Sequence, residues 1–386
     1  MKQIKLFLIL IFCRLSRILL RAMYIYPIRQ NRVLFVSFRG KQYSCNPRAV
    51  SEALKGLAGD ALEIVWAFHE PEKFSFLRDQ GISVIGDRSF DFIKTALTAK
   101  VVCTNTYYKP FLPRRKGQFF IQTWHGGGAY KRVGKLEKMP PLRRKFIALQ
   151  QDQVNLYLSS SKAFTRLTVR EAFGYTGEVY EHGMPRNDCL MKPAPDSIIK
   201  KVHDQLSLPP DTSIALYAPT FRPDDRAYAY GLDFDGVKHA LEKRFGGKWE
   251  VAFRGHHVVT GTSGASIDAT DYMDMQELLL ASGALITDYS SSIWDMSLAK
   301  KPVFLYATDL QEYTFERDFF TDIHTWPFPL SENNDELTEN ILNFDEDKYL
   351  KDIARHHEEL EISESGRASE YTAKRILREC RTEEKK

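Results

Sequence analysis

The chain has 386 residues, more than a single hydrophobic core usually serves, so two domains of about 150 to 200 residues are expected and a small stapled scaffold is excluded. Apolar residues make up 43% and charged residues 27%, which rules out both wholesale disorder and a polytopic membrane protein. Lys and Arg outnumber Asp and Glu by 54 to 50; a net charge of +4 is too small and too dispersed to make nucleic acid a partner, whereas an anionic membrane surface stays open.

The five cysteines, Cys13, Cys45, Cys103, Cys189 and Cys380, are odd in number and contain no C-x-x-C pair. Neither a disulfide framework nor a zinc site is suggested, no metal or cofactor is expected, and a reducing cytoplasm is implied.

At the N-terminus an apolar run from Leu6 to Cys13 follows Lys2 and Lys5 and precedes Arg14, Arg17 and Arg21. Eight residues are too few to span a bilayer, which takes about 20, and arginines stand where a signal peptide would need small residues. Apolar character resumes at Ile18-Leu19-Leu20, so residues 1–30 read as an amphipathic helix lying in the headgroup region, with its three arginines along one face meeting anionic lipid. That puts the protein peripherally at the cytoplasmic face of the membrane.

Short apolar runs then alternate with amphipathic stretches. Strands are expected at Val33–Val36, Ile64–Ala67, Ile82–Ile85, Val101–Cys103, Phe119–Ile121 and Leu156–Leu158, with helical spacing at Ala49–Leu57 and Phe90–Ala99. Met191–Asp211 contains Pro193, Pro195, Pro209 and Pro210 and reads as a boundary. Beyond it strands are expected at Ile214–Tyr217, Trp249–Phe253, Ala284–Thr287 and Pro302–Leu305, and helix after Asn343. The expected fold is α/β, with two Rossmann-like domains facing a cleft, 31–190 and 191–375, and a charged tail over 376–386.

In such folds the useful residues follow strands. After Phe119–Ile121 comes Gln122-Thr123-Trp124-His125-Gly126-Gly127-Gly128-Ala129-Tyr130-Lys131-Arg132, where His125 can act as a general base, the glycines admit a ligand close to the backbone, and Lys131 and Arg132 can attract phosphate. The H-G-G-G string also occurs in esterase oxyanion loops, but no G-x-S-x-G nucleophile elbow accompanies it. Following Ala284–Thr287, the run Asp288-Tyr289-Ser290-Ser291-Ser292 opens a helix and could hold an anion, with Ser292 and Asp295 as an S-x-x-D cap. Arg254 and His256, after Trp249–Phe253, could stabilise charge on a leaving phosphate, and Thr220 and Arg222 end another strand. Gly183 to Asp188, with Arg186, is a polar turn near the boundary, and Asp233-Phe234-Asp235 matches a metal-binding D-x-D by chance.

Taken together, these residues resemble the CDP-glycerol glycerophosphotransferase family, the teichoic acid and capsule enzymes. The resemblance runs from about Arg32 to Phe344 and includes Phe35-Val36-Ser37-Phe38-Arg39-Gly40-Lys41, Tyr43-Ser44, Asn46-Pro47, Trp124-His125-Gly126, Gly183–Asp188, Leu216–Arg222, Arg254 with His256, and Ile286–Ser291. It implies a GT-B-like pair of domains that transfers glycerol phosphate, or a related polyol phosphate, from a CDP-linked donor to a lipid-linked or polymeric acceptor, releasing CMP. His125 is then similar to the base that deprotonates the acceptor hydroxyl. Arg254, His256, Ser290 and Ser291 hold the pyrophosphate, His256 counting with His125 as catalytic, and Gly126, Lys131, Arg186, Thr220, Arg222 and Asp288 complete the binding set. The family's commonest loop reads H-G-T-P followed by Leu-Lys, whereas Gly127, Gly128, Ala129 and Tyr130 follow His125-Gly126 here; the departure bears on the acceptor and polyol more than on the reaction type. A glycosyltransferase using a nucleotide sugar shares the architecture, and a polysaccharide-binding module is the non-enzymatic alternative.

Overall fold

The computed structural model describes residues 2–137, 139–220, 231–255 and 267–381. Two expected site residues, Arg222 and His256, lie outside the described residues, as do His257 and the G-T-S-G string at 261–264.

The strands are β1 (Arg29–Val36), β2 (Glu63–Phe68), β3 (Ser83–Gly86), β4 (Ala99–Thr104), β5 (Phe119–Gln122), β6 (Leu156–Leu158), β7 (Glu178–Tyr180), β8 (Thr212–Tyr217), β9 (Lys248–Phe253), β10 (Ile267–Asp268), β11 (Ser282–Thr287), β12 (Val303–Tyr306) and β13 (Leu330–Ser331). They form two sheets, β3-β2-β1-β4-β5-β6-β7 and β10-β9-β8-β11-β12-β13, and every pairing in both is parallel. The central strands are nearly continuous Val, Ile, Leu and Phe because a parallel sheet is covered on both faces. Val33, Leu34 and Phe35 in the first sheet, and Ile214, Ala215, Leu216 and Tyr217 in the second, are fully buried, each large side chain contributing about 1.5–3 kcal/mol.

Twelve α-helices are described: α1 (Lys2–Leu19), α2 (Cys45–Ala58), α3 (Phe90–Thr98), α4 (Pro141–Gln151), α5 (Asp196–Leu206), α6 (Phe234–Phe245), α7 (Met275–Ala281), α8 (Ser292–Leu298), α9 (Leu310–Glu316), α10 (Asn334–Leu342), α11 (Glu346–Glu359) and α12 (Ala368–Arg381). Five of these starts carry a side-chain cap from the residue before the helix, four of them as follows: Ser89 accepts from Phe92 N, Asp274 from Gln276 N and Glu277 N, Asn333 from Glu336 N, and Asp345 from Lys348 N. Asp233 of the D-x-D string caps α6 in the same way, accepting from Gly236 N. Helix α5 occupies the proline-bounded stretch after residue 191, its start marked by Pro195.

Contacts divide the chain into two compact units. The first comprises Met1–His125, Val133–Asp188 and Ser363–Lys386; the second comprises Gly126–Arg132 and Cys189–Ile362. Within the first, Asp188 receives the backbone N–H groups of Ala368 (2.9 Å) and Ser369 (2.8 Å), so it caps α12 and fixes that helix beside α2. Within the second, Gly126–Arg132 is held by an antiparallel bridge from Lys131 to Phe319, by Phe320 N donating to Tyr130 O (2.9 Å), and by an Arg132–Asp318 ion pair (2.7 Å).

Helix α1 buries Leu10 and Cys13 and exposes Ile4, Phe7, Leu8, Phe12, Leu15, Ile18 and Leu19. Arg17 departs from the expected lipid-facing row. Its guanidinium bonds Pro110 O (2.8 Å), Leu149 O (2.5 Å) and the Asp152 carboxylate (2.9 Å), because those carbonyls and that carboxylate lie within its reach in the same unit; Arg14 and Arg21 remain exposed. No helix among the described residues is long and apolar enough to cross a membrane.

Candidate functional site

In each sheet the chain order reverses between two central strands, β1 and β4 in the first and β8 and β11 in the second, and ligands of open α/β sheets bind outside the carboxyl ends of strands at such a point. Both switch points are tied by the same device. Asn105, the first residue after β4, accepts the backbone N–H of Phe38 on its Oδ1 at 2.8 Å. Asp288, the first after β11, accepts the backbone N–H of Thr220 at 2.9 and 3.0 Å and its hydroxyl at 2.6 Å.

In the first unit His125 follows β5. Its Nδ1 lies 2.7 Å from the backbone oxygen of Asn105. A carbonyl oxygen can only accept, so Nδ1 carries the hydrogen and Nε2 keeps a lone pair. The ring is stacked on Trp124 (centroids 4.4 Å apart) and tilted against Phe38 (5.6 Å). Burial lowers its pKa to about 4, and the positive charges of Arg186 and Arg39 push the same way against the Asn105 hydrogen bond. At neutral pH the imidazole is therefore uncharged and can take a proton.

Arg186 belongs to this group. Its guanidinium donates to the carbonyl of His125 and, at 3.6 Å, to Cys45 Sγ, while its backbone N–H donates to Asn46 Oδ1 (3.0 Å). Asn46, fully buried, uses its amide nitrogen on Trp124 O (2.9 Å) and Thr123 O (3.3 Å). One side chain thus ties the loop before His125 to the turn bearing Arg186. The backbone here is strained: Trp124, Phe38, Arg39 and Cys45 all have positive φ, of 54°, 44°, 59° and 62°.

In the second unit the structure gathers Lys131, Thr220 and Asp288: Lys131 Nζ is 3.4 Å from Thr220 Oγ1 and lies over the Tyr313 ring at 5.5 Å. Ser290 and Ser291 follow, half-buried, with Ser290 Oγ accepting from Ser292 N at 3.3 Å. The expected S-x-x-D cap does not form. Helix α8 starts from Ser291 without a side-chain cap, because Asp295 is buried and receives Gln276 Nε2 (3.1 Å) instead. Arg254 sits apart from Lys131 in these bonds, donating to Tyr272 O and Met275 Sδ (both 3.2 Å), with Nε buried and unpaired among the described residues; burial lowers its pKa while Asp274 opposes this. Gly126 is buried in the same unit.

The glycines after His125 have a steric reason. A Cβ on Gly127 would run into Trp294 Cδ1, and one on Gly128, whose φ is 77°, would run into the Tyr130 ring and lie 2.9 Å from Trp294 Cε3. Trp294, fully buried, fills the space that larger residues would take, while Tyr130 is anchored by its hydroxyl 3.0 Å from His356 Nε2. Asn46, Trp294 and Tyr130 stood in sequence motifs without being given a role, and Asn105 was not named; the signal for Asn105 is that it directly follows the buried run that ends β4. No group of three or more metal-ligating side chains occurs among the described residues.

Two parallel sheets with bridged switch points, one of them beside a neutral imidazole, define a two-sheet α/β enzyme of GT-B-like type. A model of the family CDP-Glycerol:Poly(glycerophosphate) glycerophosphotransferase matches residues 18–378, and the chain belongs to that family. The teichoic acid poly(glycerol phosphate) polymerase of Bacillus subtilis (strain 168) is 28% identical over 91% of this chain, which spans only 49% of that protein. The teichoic acid glycerol-phosphate transferase of Staphylococcus aureus (strain NCTC 8325) is 28% identical, with 90% of this chain and 93% of the other covered. Among solved structures, the wall teichoic acid polymerase TagF, as a histidine-to-asparagine variant soaked with CDPG, superposes with a TM-score of 0.82 at 25% identity over 96% of this chain and 94% of the other.

Proposed function

We propose that the chain transfers glycerol phosphate, or a related polyol phosphate, from a CDP-linked donor to a hydroxyl of a lipid-linked or polymeric cell-wall acceptor. The acceptor oxygen attacks the β-phosphorus, its proton passes to His125 Nε2, and the bond to the α-phosphate oxygen breaks to release CMP. The first unit has the acceptor-side role and the second the nucleotide-side role. Arg254, Lys131, Thr220, Ser290 and Ser291 bind the donor's phosphates, with His256 and Arg222 in the same task; Asp288 and Arg186 hold the loops that carry them and His125.

The observation that carries this reading is the His125 ring, uncharged and fixed in the tautomer with a free Nε2, in a chain that belongs to a glycerophosphotransferase family. Phosphoryl transfer asks chiefly for positioning and cationic stabilisation, which Arg and Lys side chains supply. Incubating the purified protein with CDP-glycerol and, separately, with UDP-sugars tests it: CMP from the first supports the proposal, and UDP alone from the second replaces it with glycosyl transfer.

Peripheral attachment at the cytoplasmic face of the membrane is part of the proposal. The exposed apolar side chains of α1, with Arg14 and Arg21 also exposed, suit the headgroup region of an anionic bilayer. Removal of residues 1–30 should release the protein from sedimenting vesicles; retention would count against it.

A further inference from the structure

The first sheet carries a second polar cluster at its carboxyl edge, apart from the contacts of His125. Asp87, the first residue after β3, has a side chain only 2% exposed. One of its oxygens meets His69 Nδ1 at 3.1 Å and the other meets Lys109 Nζ at 2.9 Å. His69 follows β2 and Lys109 lies in the loop after β4, so three strand ends converge on one carboxylate. The carboxylate is hidden, but its partners are not: the side chains of His69 and Lys109 are 36% and 28% exposed.

The loop after β1 closes onto this cluster. Gly40, with φ 86°, packs so tightly that a Cβ there would lie 3.2 Å from His69 N and 3.4 Å from Asp87 Cβ, and its carbonyl accepts from His69 N at 2.7 Å. Arg39 and Lys41 flank Gly40 and are exposed. The same loop reaches His125 through the Phe38 ring, and the charge of Arg39 is felt by His125. A buried carboxylate that holds one lysine and one histidine in fixed positions, under a loop whose Arg39 and Lys41 are exposed, is costly as mere stabilisation, because Asp87 is desolvated to make it. It is well made for recognition.

We infer that Lys109 and His69, fixed by Asp87 and joined by Arg39, form a subsite for a phosphodiester of the acceptor, the polyol-phosphate unit next to the one whose hydroxyl reacts. Lys109 uses one of its three N–H donors on Asp87 and has two for phosphate oxygens, Arg39 adds a planar guanidinium, and His69, donating Nδ1–H to Asp87, presents Nε2 to a polyol hydroxyl. This rests on the phosphotransferase reading and adds to it the chemistry by which a polyanionic acceptor is told from a neutral one.

The test uses the full chain, CDP-glycerol, and two acceptors: a synthetic glycerol-phosphate trimer and a neutral glycerol-terminated analogue without phosphodiesters. Lys109→Met and His69→Gln should each raise KM for the trimer about tenfold or more, with KM for CDP-glycerol and for the neutral analogue unmoved, and Lys109→Arg should recover most of the loss. An unchanged trimer KM in a normally melting Lys109→Met protein overturns the inference, as does an equal rise for both acceptors or a rise for CDP-glycerol instead. If the wild type releases no CMP with either acceptor, the phosphotransferase reading falls separately, and calorimetric titration of the trimer onto wild type and Lys109→Met still decides the subsite: weaker binding to the variant supports it, equal binding refutes it.

Discussion

The Nδ1 atom of His125 stands 2.7 Å from the backbone oxygen of Asn105, and that one contact settles which ring nitrogen is available for chemistry. It also links His125 to the switch point of its sheet, since the Asn105 side chain holds Phe38 N at 2.8 Å and donates to Ser37 Oγ at 3.2 Å.

The pH dependence follows. His125 has a pKa lowered to about 4, so its proton-accepting form is complete at neutral pH and is lost only as pH falls through about 4. The acid limb of kcat/KM assigned to this group should lie well below the ordinary histidine value of about 6.5. Arg39→Ala removes a nearby positive charge and should move the limb upward; a pH–rate series on both proteins reads the shift.

Asn46 makes three hydrogen bonds to main-chain groups, and a longer one to Met184 Sδ (3.9 Å), with one fully buried side chain. Asn46→Ala leaves two carbonyls and the Arg186 N–H without that partner, at a cost of about 1–3 kcal/mol. A lower melting temperature by differential scanning calorimetry, together with a fall in kcat larger than any change in donor KM, is expected, because the loop bearing His125 loses its tie.

Gly127 and Trp294 should be coupled. Gly127→Thr, which supplies only the threonine of the H-G-T-P loop, places a Cβ where the Trp294 ring now lies. Alone it should lower both stability and turnover; combined with Trp294→Leu it should cost less than the sum of the two single changes. A double-mutant cycle on melting temperature and CMP release measures the difference.

The two-sheet fold was legible because parallel strands covered on both faces are written as unbroken apolar runs, which β1, β4, β8 and β11 show plainly. Strands β7, β10 and β13 were not, since two or three residues at or near a sheet edge, partly exposed, leave no such run. Helix α12 gives no local sign that it joins the first unit; that depends on Asp188, 180 residues earlier, capping it. His125, Thr220, Asp288 and Arg254 were chosen by the rule that useful residues follow strands, and each does stand just beyond one, after β5, β8, β11 and β9. The S-x-x-D cap and the lipid-facing place of Arg17 were missed for one reason: each side chain is taken by a partner distant in sequence, Asp295 by Gln276 and Arg17 by Asp152.

Stability should also fall on acidification within a defined window. His356 and His357 are held neutral by burial, with pKa values lowered to about 4, whereas an unfolded histidine titrates near about 6.5. The sign is that of a depressed histidine: above pH 6.5 both states are neutral, and between about 6.5 and 4 the unfolded state binds more protons, so the folded state loses ground as pH drops. Denaturant midpoints at pH 7, 5.5 and 4.5 should decrease in that order, and His356→Gln should flatten the trend.

The most direct measurement is CMP release from CDP-glycerol in the presence of a glycerol-phosphate acceptor, by the wild type and by His125→Ala at matched melting temperature. The account predicts acceptor-dependent CMP formation by the wild type and a loss of about a hundredfold or more in the variant, the range for removing a positioned general base. Turnover by His125→Ala within a few-fold of the wild type would contradict it.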